Sequence, residues 1–471
     1  MKQEVSYTKA STYYLVGNLF NKGMSFLTVP IFTRILSISD YGIVTTYTSW
    51  VSILSMMLGF ALHMGIRAAF IDYKEKINDF MSVTVFFTIT SSFAIGILFI
   101  AAIWFLKTNL SLFLIVLCLF QGFSESLIQD YLMYLMMQYR YKFRTTLMIL
   151  PNVISLIISI WVILFVLRGD RYLGRIVPTA LVSIFFGLFI IILVFRKSHM
   201  IFNKTYLKYG LAISTPLIIH GIALNILSQS DRTMITWLAN ASQTGIYSLV
   251  YNFSMIATVI TTSLDGIWVP WFTERMKVRS IDSINKLAVG YVDLMTYIIV
   301  CLLLVGPEIL KILASKPYWE GINIIPPVVL ANYFIFMYTL YVNIEHFYKK
   351  TLYITINTIV AAVANIVLNY LLIPRYGYVA AAYSTTFSYL LSLVLHAWYS
   401  KKLESDVYPL KMFIWPLVHI FVTTIVFYVL INLPVVRWLL MLFYFIAMIV
   451  HERKRIFEFF PEIKQRFNLK Y

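Results

Sequence analysis

Long apolar runs separated by short polar segments fill the chain from Thr12 to Val450. A helix needs about 20 predominantly apolar residues to cross a bilayer, and charges, Pro or Gly mark the ends of such runs. The pattern predicts fourteen helices, over 12–36, 42–65, 81–106, 110–138, 145–167, 176–195, 209–238, 243–271, 286–306, 322–347, 351–373, 377–399, 410–431 and 435–450. Two of these runs break the apolar pattern in the same way. In the run Gly210–Trp237, residues Asn225, Ser228, Gln229 and Arg232 fall at i, i+3, i+4 and i+7, which a helix gathers on one stripe. In the first run, Asn18, Asn21, Lys22 and Ser25 repeat that spacing 207 residues earlier. An ionised group at mid-membrane costs roughly 2.5–3.5 kcal/mol on insertion scales. Such stripes should therefore line a wet cavity or meet each other, and they read as two walls of a transport path.

The repeat extends beyond the stripes. Asp40-Tyr-Gly-Ile-Val has a counterpart in Gln243-Thr-Gly-Ile-Tyr, with glycines 203 apart, and Arg171-Tyr-Leu-Gly has one in Arg375-Tyr-Gly, 204 apart. Asn152 and Asn357 lie 205 apart. Helices 1–6 and 7–12 thus form two halves of about 200 residues, and an even number of helices in each makes them parallel repeats. The predicted organisation is an N-terminal lobe over 1–208, a C-terminal lobe over 209–402, and a third section over 403–471 carrying helices 13 and 14 and a basic tail.

Composition agrees with a membrane protein: 60% of residues are hydrophobic and 13% charged, against about 45–50% and 25% in soluble domains. The net charge of +17 would suggest nucleic acid in a soluble protein, but its distribution excludes that. With a cytoplasmic N-terminus, 27 of the 38 Lys and Arg fall in inside segments and 9 in outside ones, so the charge mainly sets orientation and attracts anionic lipid. Both termini are then cytoplasmic. Cys118 and Cys301 lie inside apolar runs, and His63, His220, His396 and His419 show no ligand spacing, so no disulfide, metal or cofactor is expected. The outside loops are short, which leaves no room for the catalytic domain of a polymerase or glycosyltransferase.

At Pro30-Ile-Phe-Thr-Arg34 and Ser39-Asp-Tyr-Gly42 the chain resembles the polysaccharide-exporter branch of the superfamily that contains drug exporters, lipid II flippases and Wzx-type oligosaccharide flippases. Asp231-Arg232 ahead of Thr244-Gly-Ile-Tyr247, and Arg375-Tyr-Gly-Tyr-Val-Ala-Ala-Ala, fit the same resemblance. It implies a V-shaped, two-lobed, all-α transporter in the bacterial cytoplasmic membrane. Such a protein moves an undecaprenyl-pyrophosphate-linked oligosaccharide from the inner to the outer leaflet by alternating access, for a surface polysaccharide such as the O-antigen of lipopolysaccharide. A polysaccharide polymerase and chain-length proteins are the implied partners.

That task needs cations for the pyrophosphate, polar groups for the sugars and a greasy groove for the prenyl tail, and no bond chemistry by the protein. The candidates for substrate binding are Lys22 and Arg232, supported by Asn18, Asn225 and Gln229, with Arg34 at the outer mouth and Arg67 at the inner one. A salt bridge between Lys22 and Asp231, and helix-end roles for Arg34 and Arg67, are the plainer alternatives. Glu125, Asp231 and Asp265 are candidates for proton or sodium coupling, or are counter-ions to the cavity cations. Competing readings are a lipid II flippase, separated only by glycan identity, and a cation-coupled drug exporter. The exporter would favour an acid in helix 1, where Lys22 stands instead. A scaffold would have no wet cavity at all.

Overall fold

The computed structural model describes residues 17, 20, 23–24, 26–105 and 111–468, with backbone alone for 216–217 and 452–468. Among the described residues the chain is helical and without strands. The helices are α1 (Phe26–Ile35), α2 (Ile38–Gly59), α3 (Leu62–Asp72), α4 (Ile77–Phe105), α5 (Leu112–Met137), α6 (Tyr141–Trp161), α7 (Arg171–Phe195), α8 (Lys204–Leu238), α9 (Ala241–Lys277), α10 (Ile281–Leu313), α11 (Ile325–Phe347), α12 (Thr351–Leu403), α13 (Ile414–Val429) and α14 (Pro434–Asn468). Among the described residues ten helices are long and apolar enough to span a membrane, or up to twelve if two bent pairs each count as one span. Two features separate this count from the fourteen expected. The first predicted segment lies partly outside the described residues, and predicted segments 11 and 12 share the range of α12, where two helices meet at a kink.

The kink divides α12 into two stretches, each long enough to cross a bilayer, as the expected segments 351–373 and 377–399 require. Its one non-helical residue is Gly377, with φ +60° and ψ −145°. Only glycine adopts that conformation without strain. The side chain of Gln243 fills the space a Cβ would need there, and its Oε1 accepts from the Tyr378 N–H at 2.9 Å.

The outer surface is apolar and the inside carries polar groups, the arrangement a hydrocarbon solvent selects. Trp104, Phe105, Phe165, Ile267 and Phe443 are exposed, while Ser49, Thr88, Asn365 and Asn369 are buried. The chain packs as two compact units, Met1–Gly245 with Asn369–Tyr378, and Ile246–Leu368 with Val379–Tyr471. In the first, α5 lies between α2 and α7. Small residues let these helices approach: Gly59 faces Ser126, Gly122 faces the Leu54–Ser55 backbone, and Gly187 faces Ser124. Close approach of this kind supplies the van der Waals contact that holds helices together in lipid.

In the second unit, α10 packs against α11, α13 and α14. Arg437 of α14 is fully buried there. Its Nη2 donates to Glu308 Oε1 at 2.5 Å, its Nη1 to the Leu304 carbonyl at 3.0 Å, and its Nε to the Leu430 carbonyl at 3.0 Å. One guanidinium thus ties α14 to α10 and to the turn that follows α13, where the Leu430 carbonyl also accepts from the Leu433 N–H at 2.9 Å.

Candidate functional site

The polar row predicted on the seventh helix lies on α8. The partner of its residues is α2. Ser52 Oγ donates to Asn225 Oδ1 at 2.8 Å, Ser49 Oγ to Gln229 Oε1 at 3.2 Å, and the hydroxyls of Thr46 and Thr236 meet at 2.7 Å. Residues 46, 49 and 52 and residues 225, 229 and 236 run in opposite senses, so the two helices cross antiparallel along one seam. Two of the three α2 hydroxyls also have an acceptor one turn back, Thr46 Oγ1 at 2.9 Å from the Gly42 carbonyl and Ser49 Oγ at 2.9 Å from the Thr45 carbonyl, so the single proton of each can serve its own helix or the seam. Asn225 and Gln229 are half-buried and Arg232 is buried. Arg232 Nη1 donates to Gln229 Oε1 and to the Ser228 carbonyl, both at 3.0 Å. A cation is therefore held on the row by the same amide that receives Ser49.

Glycines bound the seam at each end. A Cβ on Gly42 would lie 1.8 Å from the Ala241 carbonyl oxygen, and one on Gly245 would lie 2.3 Å from the Ile38 carbonyl oxygen. Residues 38 and 42 stand in the repeat where 241 and 245 stand, so the contact is reciprocal between the two repeats. At the far end a Cβ on Gly65 would lie 3.1 Å from Gly210 Cα.

Between these ends both spans are broken: α2 and α3 meet at a 41° bend and α8 bends by 44° between Thr215 and Ile218. Phe60 and Ala61 occupy the left-handed region, at φ 49° and 46°, which neither side chain favours. The break frees backbone groups that lipid cannot satisfy. Ser214 Oγ of α8 donates to the Ala61 carbonyl at 3.2 Å. On the other side, α3 starts from Ala61, which has no side chain to cap it, and the Asp130 carboxyl of α5 lies against the His63 N–H. That carboxyl is 1% exposed, and its Oδ2 has no partner among the described residues. Replacing Asp130 with Ala removes the acceptor that lies against the buried N–H at the start of α3, at about 1–3 kcal/mol. Thermal unfolding in detergent is expected to show a Tm lower by several degrees for Asp130→Ala. Asp130→Asn, which keeps an acceptor oxygen, is expected to recover most of the loss.

The remaining predicted residues are dispersed. Arg34 is exposed on α1, where its Nη1 donates to the Pro30 carbonyl at 2.8 Å, and Arg67 is exposed on α3. Glu125 of α5 accepts from Ser183 Oγ of α7 at 2.8 Å. Asp231 is buried and accepts from Asn369 Nδ2 at 2.6 Å. In the second unit, Asp265 of α9 accepts from the Tyr291 hydroxyl at 3.2 Å. Asn18, Asn21, Lys22 and Ser25 lie outside the described residues. Sequence reasoning missed three things: the α2 hydroxyls as partners of the α8 row, the placement of Asp130 against the start of α3, and the mutual contact of the repeated glycines.

These features define a multi-pass helical membrane protein whose polar residues meet between helices. Residues 7–276, more than half of the chain, match the family described as "Polysaccharide biosynthesis protein", and the chain belongs to that family. Two relatives from Haemophilus influenzae are similar to it. An "Uncharacterized membrane protein" is 21% identical over 59% of this chain and 68% of its own length, and the "Lsg locus putative protein 1" is 21% identical over 58% and 67%. The fold is shared with transporters of the MOP superfamily. The lipid II flippase MurJ in an inward closed conformation has TM-score 0.66 at 14% identity, covering 94% of this chain and 99% of its own. An inward-facing MATE multidrug resistance transporter has TM-score 0.62 at 13% identity, covering 82% and 95%.

Proposed function

We propose that the protein is a flippase that carries an undecaprenyl-pyrophosphate-linked oligosaccharide from the inner to the outer leaflet of the bacterial cytoplasmic membrane, with both termini cytoplasmic. The observation that supports this most is the α2/α8 seam, a ladder of hydroxyl–amide contacts with a guanidinium on it, set within membrane-length helices of a chain from a polysaccharide biosynthesis family. Hydroxyls and amides can exchange their contacts with each other for contacts with sugar hydroxyls or water at little cost, whereas an apolar seam would lose its contacts outright. Arg232, with Lys22, supplies charge for the pyrophosphate. Asn18, Asn225 and Gln229 offer amides to the glycan, and Arg34 and Arg67 guard the two mouths.

Alternating access follows if the repeat-defined lobes 1–208 and 209–402 part along this seam. Glu125, Asp231 and Asp265 serve as counter-ions or take the coupling proton or sodium ion. A polymerase and chain-length proteins use the delivered substrate. Lipid II is the second candidate cargo, because the same lipid pyrophosphate carries it and the fold matches MurJ over 94% of this chain.

The test reads glycan at the outer leaflet in cells relying on this protein. The native chain should deliver lipid-linked oligosaccharide, and a Lys22→Ala/Arg232→Ala variant that reaches the membrane should deliver at least tenfold less. Full delivery by that variant would sink the cationic-cavity reading. Delivery of lipid II alone would reassign the cargo.

A further inference from the structure

A groove of about 610 Å³ opens in the second unit between the start of α10 and the turn that leads into α13, lined by Asn285, Lys286, Val289, Lys411, Met412 and Trp415, with Pro409 and Ile414 at its edge. Its walls are held in register by one side chain. Asn285 Nδ2 donates to the Asp406 carbonyl at 2.8 Å, and Asn285 Oδ1 accepts from the Tyr408 N–H at 2.8 Å. This clamp fixes the Lys411 turn against α10 and so sets the two lysines on one groove. Lys286 and Lys411 are both exposed, neither joins an ion pair among the described residues, and no acidic side chain lines the groove. Apart from Asn285, the rest of the wall is apolar. It continues into the exposed face of α13, where Trp415, Leu417, Val418 and Phe421 project outward.

We propose that this groove binds an anionic phospholipid, with the headgroup phosphate on Lys286 and Lys411 and the acyl chains along Val289, Ile414 and Trp415. Two unpaired ammonium groups call for an anion, and basic pockets between membrane helices select acidic headgroups. The apolar wall decides between a lipid and a free phosphate. A free ion would gain nothing from Met412 and Trp415, whereas an acyl chain covers them, and an exposed Trp beside lysines is the usual composition of a membrane interface. The turn before α10 carries Arg279 and the last turn of α12 carries Lys401 and Lys402, so the groove lies at the basic face of the protein, where the positive-inside rule places the leaflet richest in acidic lipid.

The test titrates the purified full chain, in neutral detergent, with phosphatidylglycerol, with phosphatidylcholine of the same chains, and with inorganic phosphate, and reads the rise in Tm. Phosphatidylglycerol should stabilise the native chain, while the other two should not. Lys286→Gln/Lys411→Gln should unfold at the native temperature without lipid and need about thirtyfold more phosphatidylglycerol for half-maximal stabilisation. Lys74→Gln/Lys76→Gln, altered at a basic turn in the other unit, should titrate like the native chain. The proposal is overturned if phosphatidylglycerol fails to stabilise the native chain, or if the groove variant titrates as the native does. It is overturned equally if phosphatidylcholine matches phosphatidylglycerol, which removes the charge recognition, or if inorganic phosphate does, which removes the lipid.

Discussion

Oxidation of a Thr46→Cys/Thr236→Cys variant, with Cys118 and Cys301 replaced by Ser, is expected to reduce transport to background, and a reductant is expected to restore it. The two hydroxyls meet at 2.7 Å, a contact compatible with the Cβ separation of about 3.5–4.5 Å that a disulfide needs. Thr46 also donates to the Arg232 carbonyl at 3.4 Å, so the bond would fasten the seam beside its cation. If the substrate passes where α2 and α8 part, a covalent tie at this level holds the path shut, whatever the affinity of the rest of the row. A single Thr46→Cys or Thr236→Cys change weakens a small set of hydroxyl contacts, each of about 1 kcal/mol, and leaves the seam free to part, so either alone should transport within a few-fold of native. A fully oxidised double variant that transports at the native rate would show that the seam stays closed during turnover, and the path would have to lie elsewhere.

The legible part of this site was the part that violates a rule. Asn225, Gln229 and Arg232 stand out because amides and a guanidinium in an apolar run demand partners, and their 3–4 spacing assigns them to one helical face. Their partners were silent for a physical reason. Ser and Thr in a helix donate to a carbonyl three or four residues back, as Thr46 does to Gly42 and Ser49 to Thr45, so they cross a membrane without penalty and reveal nothing about what they face. The break at Phe60–Ala61 was equally silent, because neither residue is Gly or Pro and the predicted segment 42–65 ran straight through it. Asp130 was visible as an acid in the fourth predicted helix, but its role depends on that break and could not precede it. The boundary near Gly377 was the opposite case: Pro374 and Gly377 mark it in sequence, and the left-handed backbone at Gly377 is why. The paired glycines fell between these cases. Gly42 and Gly245 were legible as copies of one motif 203 residues apart, while their contact required knowing that the two copies face each other.

That contact carries the second large expectation. Gly42→Leu should destabilise the chain by at least about 1–3 kcal/mol, the usual cost of overpacking, because the obstructing atom is a backbone carbonyl only 1.8 Å from the new Cβ. A flexible side chain could move aside; the Ala241 carbonyl cannot without shifting the start of α9. Two responses remain, unfolding or separation of α2 from α9, and both are measurable. Thermal unfolding in detergent reads the first. The second is read by a cysteine at Thr46, one turn further along α2, which an impermeant thiol reagent should label at least tenfold faster in the Gly42→Leu background than in the native one. Gly266→Leu is the control, since a Cβ there meets nothing within 4 Å, and it should alter neither readout. If Gly42→Leu left both the Tm and the labelling rate unchanged, α2 and α9 would not be in backbone contact at this crossing, and the reciprocal closure of the two repeats would be lost with it.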